Sequence, residues 1–199
     1  MMFYKKRINL IVLLLLPQAM YGMFTVEYKK AIQITDQQWE ILEQSWITIF
    51  ADAYKGLENA AVDKKIRGDT QGDVAIWLKE QFHDYRQRTF DNDLSTYVLL
   101  YDDRELVGYA VFVLWPNQSL IHVPQIAVMI DYQSRGVGKA LMKAIFEYPS
   151  ECKSVVLTTR ILNNRAQTFY KKMGFYQVCE SIENIPCDFE YSVLLRKDM

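Results

Sequence analysis

Residues 131–146, DYQSRGVGKALMKAIF, set two glycines, an arginine and a lysine at the mouth of an amphipathic segment. Upstream, Gln125 to Ile130 is an apolar run; downstream, Val137, Leu141, Ala144 and Ile145 recur on one face at helical spacing. The stretch therefore predicts strand, tight loop, helix. A loop that exposes successive backbone N–H groups at a helix N-terminus is an anion site, because the orphan donors and the positive end of the helix dipole point the same way. Gly136 and Gly138 leave room for a phosphate to reach those amides, while Arg135 and Lys139 add charge. Two phosphate loops fail against it. A P-loop requires Ser or Thr after Gly-Lys and a glycine five places earlier, but Ala140 follows Lys139 and Gln133 stands at the earlier position. A dinucleotide fingerprint requires a third glycine where Leu141 stands.

Outward from this stretch the chain alternates between two periods. Phe24 to Ile34 reads as a strand, and Thr35-Asp36 with Gln37-Gln38 reads as a helix N-cap. The helix that follows, Trp39 to about Tyr54, puts Trp39, Leu42, Trp46, Ile49 and Phe50 on one side. Lys55 to Asp73 is polar and predicts a loop with a short helix, and Val74 to Arg88 predicts a second helix carrying Ile76, Trp77 and Phe82. TYVLLYD and LVGYAVFVLW, separated by the polar turn Asp102 to Glu105, predict a hairpin of two buried strands. SLIHVPQIAVMI predicts a third strand, in which Pro124 cannot donate to a ladder; the strand must bulge there, lie at an edge, or part from its neighbour. A helix from Gly136 to about Tyr148, the short strand SVVLTT, and a helix from Asn164 to Met173 stopped by Gly174 come next. Strands at about Phe175–Glu180 and Asp188–Leu195 close an α+β pattern, an antiparallel meander turning into β-α-β.

The 199 residues are half apolar, which predicts a folded domain with a full core. The net charge of −1 hides an asymmetry: residues 1–22 hold Lys5, Lys6 and Arg7 and no acid, leaving 20 basic against 24 acidic residues in the rest. That balance excludes a general nucleic-acid binder. Three widely spaced cysteines, no CxxC and two histidines suggest neither zinc nor a disulfide framework, although a Cys179–Cys187 bridge is conceivable on adjacent strands. Residues 1–22 read as a secretory signal or leader, with a basic start, the apolar stretch Ile8 to Leu16, then Pro17, Ala19 and Gly22. This apolar stretch is shorter than the roughly 20 residues of a spanning helix, so no transmembrane span is expected beyond the possible leader. Residues 23–199 then form a single domain.

Gln133-Ser134-Arg135-Gly136-Val137-Gly138 fits Q/R-x-x-G-x-G/A, with IAV at 126–128 before it and KALM after it. The later stretch NNRAQTFYKKMGF, residues 163–175, fits N-x-x-A-x-x-x-Y-x-K-x-G-F at Asn163, Ala166, Tyr170, Lys172, Gly174 and Phe175. Together these ordered motifs resemble the GNAT superfamily of acetyl-CoA-dependent N-acetyltransferases over about residues 24–196. The resemblance implies a three-layer arrangement, with a mixed and mostly antiparallel sheet flanked by helices and two splayed central strands.

It also implies direct transfer from acetyl-CoA, the cosubstrate, to a primary amine on a small molecule or protein, with no metal. Carried onto this chain, Ile126, Ala127 and Val128 hold the pantetheine arm and thioester oxygen through backbone groups. Gln133, Ser134, Arg135, Gly136, Val137, Gly138 and Lys139 wrap the pyrophosphate, and Asn163 holds the cofactor arm. A positioned N–H, that of Val128, stabilises the oxyanion by about 3 kcal/mol. Tyr170 protonates the departing thiolate, a phenol of pKa about 10 against a thiol of about 8.5. Family members often carry a basic glutamate on the splayed strands, whereas these strands offer His122, Gln125, Thr158 and Thr159; His122 is the candidate base. Residues 36–90 shape the amine pocket, with Trp39, Trp46 and Trp77 as candidates for its lining. The acceptor's identity, and whether the chain is a monomer or a homodimer, stay open. Competing readings are a CoA-binding protein without transfer activity and an envelope-tethered interaction protein. The second is motivated by the leader, which suggests export, against a chemistry that needs an acetyl-CoA-containing compartment such as the cytoplasm.

Overall fold

The alternating stretches of the sequence pair into a seven-stranded mixed sheet in a computed structural model that describes residues 24–54, 74–90, 95–161, 163–178, 182 and 192–199. The expected leader, the expected loop at 55–73 and both partners of the conceivable Cys179–Cys187 bridge lie outside the described residues. The strands are β1 (Phe24–Lys29), β2 (Ser95–Asp102), β3 (Glu105–Trp115), β4 (Leu120–Val128), β5 (Ser154–Arg160), β6 (Tyr176–Val178) and β7 (Ser192–Asp198), in the order β1-β2-β3-β4-β5-β7-β6. Only β4 and β5 run parallel.

Helices cover both faces, giving three layers. On one face lie α1 (Asp36–Tyr54) and α2 (Val74–Phe90), which bury Trp39, Leu42 and Phe82 against Tyr97, Leu99, Tyr109 and Val111. On the other lie α3 (Val137–Phe146) and α4 (Asn164–Lys172). Here Leu141, Met142, Ile145 and Tyr170 pack on Val98, Leu100, Ala110, Phe112, Val155 and Leu157. The side chains of Leu141, Met142 and Ile145 are fully buried, each contributing about 1.5–3 kcal/mol of transfer free energy. Helix α1 starts as its cap predicts: the Gln38 amide donates to Thr35 Oγ1 at 3.2 Å and the Thr35 amide donates to Gln38 Oε1 at 3.1 Å, a reciprocal box.

Two strand boundaries differ from expectation. β1 ends at Lys29 rather than Ile34, because Ala31 and Ile34 are buried three residues apart and the chain turns there through a single 3₁₀ turn. The last strand, described over Ser192–Asp198, runs past the expected end at Leu195, while its expected start at Asp188 lies outside the described residues. Its limits follow its partner, since it pairs with the whole of β5 from Ser154 to Arg160.

Pro124 produces two of the three outcomes open to it. β4 bulges against β3: Val111 pairs with Gln125 and Val113 with His122, so β4 carries one residue more than β3 between these pairs. β4 also parts from β5, pairing with it only at Leu120, Ile121 and His122. The bulge inverts the alternation of faces. Ile121 and Val123 face α3 before it, whereas Ile126 and Val128 do so after it, leaving Ala127 on the α1–α2 side.

Candidate active site

The chain leaves β4 through a 3₁₀ turn at Ile130–Tyr132 and enters α3 by a tight turn in which Ser134 has φ 64° and Gly136 has φ 89°. Gly136 is the residue before the first helical position, and the first helical hydrogen bond is Ala140 N–H to its carbonyl at 2.9 Å. The amides of Gly136, Val137, Gly138 and Lys139 donate to no acceptor among the described residues. Four consecutive donors therefore point out of the helix mouth, with the side chains of Arg135 and Lys139 exposed beside them. The Arg135 guanidinium lies 5.2 Å from the centre of the Tyr132 ring, and Tyr132 in turn donates to Glu105 at 2.9 Å. Gln133 points inward, its amide nitrogen donating to the Val128 carbonyl at 3.2 Å and tying the loop to the strand end.

The two glycines of the loop serve different ends. A side chain at Gly136 would meet nothing within 4 Å, so what demands glycine is the left-handed backbone. Gly138 has no such demand; a Cβ there would lie 3.3 Å from Phe169 Cζ and 3.7 Å from Val128 Cγ2. Its missing side chain lets α4 close onto α3 beside the end of β4.

The loop adjoins an open strand edge. Met129 N–H donates to the Val107 carbonyl at 3.0 Å, so along the same antiparallel ladder Gln125 and Ala127 also address β3. Ile126 and Val128 consequently turn their amides and carbonyls the other way, toward the side from which β5 has departed. An unpaired strand edge, its Val128 carbonyl held by Gln133, is therefore joined by one turn to a helix N-terminus with free amides.

Asn163 sits at the start of α4, where its Oδ1 accepts from the Ala166 amide at 3.0 Å. Its side-chain oxygen is thus occupied as a cap, and the NH₂ is the part left to address a ligand. Tyr170 is 5% exposed and lies between Phe169 and Phe175, ring centres 5.2 and 5.6 Å away. Burial raises its pKa well above the ordinary phenol value, holding it protonated, so donation to a departing thiolate requires that the thiolate be desolvated as well. His122 is 8% exposed beside Trp115, ring centres 5.4 Å apart, and burial lowers its pKa to about 4. It lies on the part of β4 still paired with β5, before the bulge, so the structure separates it along the strand from the open edge at Ile126–Val128.

Of the candidate pocket aromatics, Trp39 is in the core at 2% exposed, Trp46 is half-buried and stacks on Tyr85 with centres 5.7 Å apart, and Trp77 is half-buried outside that cluster. Two positions bearing on the site were not singled out from the sequence. Gly108 of β3 would, with a Cβ, press within 2.8 Å of Val137 Cγ1 and 2.9 Å of the Ala127 carbonyl, so its absence seats the helix mouth on the sheet. An isolated glycine inside a strand pattern is a signal for such an approach. Phe169 gave no signal beyond its place on an amphipathic helix.

Comparisons with known proteins bear on the family and the fold. The model of the Acetyltransferase (GNAT) family matches residues 45–175. An N-alpha-acetyltransferase of Sulfurisphaera tokodaii is 34% identical over 89 residues, covering 38% of this chain and 53% of that protein. An uncharacterised N-acetyltransferase of Methanocaldococcus jannaschii is 32% identical over 77 residues, covering 37% and 47%. The chain spans about half the length of these curated relatives. Among solved structures, the PaiA N-acetyltransferase of Thermoplasma acidophilum in complex with coenzyme A superposes with a TM-score of 0.64 at 14% identity, covering 88% of this chain and 99% of that one. An acetyltransferase of Thermus thermophilus superposes with a TM-score of 0.59 at 16% identity, covering 89% and 97%. At these identities the structural likeness concerns the fold.

Proposed function

Because this chain belongs to the Acetyltransferase (GNAT) family, we propose that it transfers the acetyl group of acetyl-CoA to a primary amine, both substrates being bound together. The observation that carries the reading is the continuity of the bare β4 edge at Ile126–Val128 with the four undonated amides of Gly136–Lys139. These residues fit the cofactor: an extended arm lies along a strand edge, and a pyrophosphate needs clustered N–H donors and positive charge. Bound there, acetyl-CoA supplies an activated thioester.

The rest is the work of the chain's own groups. Ser134 to Lys139 hold the pyrophosphate through backbone amides, with Arg135 and Lys139 adding charge and Gln133 keeping the loop against the strand. Ile126 and Val128 align the arm, whereas Ala127, whose backbone is paired with β3, does not reach it; the Val128 N–H, turned away from β3, opposes the charge that develops on the carbonyl oxygen. Asn163 directs its free NH₂ at the arm. Tyr170, held protonated by burial, returns a proton to the leaving sulfur. His122, neutral at pH 7 but set back along β4 from the open edge, receives the amine's proton through water; a pKa near 4 makes it a relay that passes the proton on rather than a store.

The test is calorimetric titration of the full chain with acetyl-CoA, followed by thiol release with a panel of amines. Micromolar binding, weakened at least tenfold in Lys139→Glu, together with amine-dependent thiol release, is the expected result. A glutamate suits the first turn of a helix and so leaves the fold intact. Absence of binding by the unaltered chain overturns the reading, and binding without thiol release leaves a CoA-binding protein.

A further inference from the structure

Tyr132 lies between the end of β4 and the mouth of α3, in the 3₁₀ turn Ile130–Tyr132, where its amide donates to the Met129 carbonyl at 2.9 Å. Its half-buried ring packs against the core on the α3 face of the sheet. Its hydroxyl donates to Glu105 Oε2 at 2.9 Å, on the first residue of β3 and 27 positions earlier in the chain. The ring is therefore pinned at both ends, by the backbone of the turn and by the β2–β3 hairpin. The hydrogen bond to Glu105 raises the phenol's pKa, so the hydroxyl remains a donor through the neutral range.

Over that ring lies the Arg135 guanidinium, 5.2 Å from its centre. Arg135 is exposed and makes no ion pair among the described residues. Asp102 and Glu105, paired across the end of the hairpin, both bear on the Tyr132 hydroxyl, yet neither takes the guanidinium. A ring face gives a long cation a direction without neutralising it, whereas a carboxylate would cancel its charge. A phenol that donates to a carboxylate carries more electron density in its ring and so holds the cation more firmly. Arg135 immediately precedes Gly136, whose left-handed turn begins the run of four free amides. Lys139 is the contrast: exposed on the first turn of α3, it has neither an ion pair nor a ring contact among the described residues. A free side chain loses rotamer freedom when a phosphate fixes it, and one already seated has less to lose.

Resting on the acetyl-transfer reading, we propose that Tyr132 and Glu105 are positioning residues for the cofactor: they seat the Arg135 guanidinium at the helix mouth, directed at a phosphate of CoA before CoA arrives. Tyr132 acts through Arg135 and touches neither substrate. The grip on the phosphates thus depends on the β2–β3 hairpin as well as on the glycine loop.

The test is a double-mutant cycle on the full chain, read by calorimetric titration with acetyl-CoA at fixed ionic strength, with urea unfolding of each variant alongside. Arg135→Ala should weaken binding by about tenfold or more, as loss of a hydrogen bond between charged groups does. Tyr132→Leu should weaken it by about two- to fivefold, the range of an exposed cation–π contact. Tyr132→Phe keeps the ring but not the bond to Glu105, and should fall between Tyr132→Leu and the parent. In the Arg135→Ala background, Tyr132→Leu should cause no further loss; in a Lys139→Ala background it should cause its full loss, because Lys139 does not rest on the ring. If Tyr132→Leu proves less stable in urea, the cycle is repeated with Tyr132→Phe, which keeps the packing, and its smaller effect should likewise vanish without Arg135. With an amine that the parent acetylates, Tyr132→Leu should raise the KM for acetyl-CoA and leave kcat at saturation unchanged. A Tyr132 effect that persists undiminished without Arg135, or unaltered affinity in Arg135→Ala, overturns the proposal while acetyl transfer stands. Failure of the unaltered chain to bind acetyl-CoA overturns both.

Discussion

Replacing Gly136 by alanine tests the helix mouth through the backbone alone. No atom lies within 4 Å of where the new methyl would sit, so the change introduces no clash; its cost is that of holding a residue with a Cβ at φ 89°. That cost is about 1–2 kcal/mol for an L-residue in the left-handed region. For a domain of this size it corresponds to a fall in Tm of roughly 2–8 °C. If the turn relaxes instead, stability is partly kept but the four amides lose their common direction. One charge-assisted hydrogen bond to phosphate is worth about 1.5–3 kcal/mol, so acetyl-CoA affinity should then fall by roughly tenfold to a hundredfold. Gly138→Ala is the internal comparison. Its φ carries no penalty and alanine is the better helix former by about 1 kcal/mol, against the few tenths of an ångström by which Phe169 must yield. Chemical denaturation and calorimetric titration of both variants separate the two terms. A Gly136→Ala protein as stable as the parent, and with the same acetyl-CoA affinity, would refute the claim that this backbone conformation sets the amides.

Other expectations follow from the same geometry. Tyr170→Phe should lower turnover by tenfold or more, in line with the typical contribution of a positioned general acid, while leaving acetyl-CoA affinity nearly unchanged; equal turnover at every pH would remove Tyr170 from the chemistry. His122 has its pKa lowered from 6.5 to about 4 by burial, so its neutral form favours the folded state. That contribution is present in full above pH 6.5 and is lost as the pH falls from there through about 4, on the order of 3 kcal/mol at most. Urea unfolding across this window should show the loss in the parent and a flatter profile in His122→Gln; parallel profiles would contradict it. In the same variant, a thiol-release rate equal to the parent's at every pH would take the proton-relay role from His122.

Much of the architecture was legible because its signals are local. The Thr35–Gln38 box, the glycine stop at Gly174, the hairpin around Asp103 and the amphipathic run of α3 each lie within a few residues, and each has one low-energy conformation. The glycine loop was legible for the same reason, since four undonated amides follow from a left-handed glycine followed by a helix. The strand limits were less so. β1 stops where Ala31 and Ile34 turn into the core, and β7 runs where β5 offers it partners, and neither limit is written in the strand's own alternation.

By itself, then, the sequence determined the order of elements, the helix mouth with its free amides and the break at Pro124, because backbone chemistry and period act over short spans of chain. Tertiary structure decided the rest. The bulge at Pro124 exchanged the faces of β4, so that Ile126 and Val128 pack toward α3 while Gln125 reaches Tyr109 on the opposite side. The sheet placed β7 between β5 and β6, and the packing of α1 and α2 brought Trp46 and Tyr85 together across a long gap in sequence. Register and face are set by the total surface that paired elements bury, a quantity that no short stretch of the chain contains.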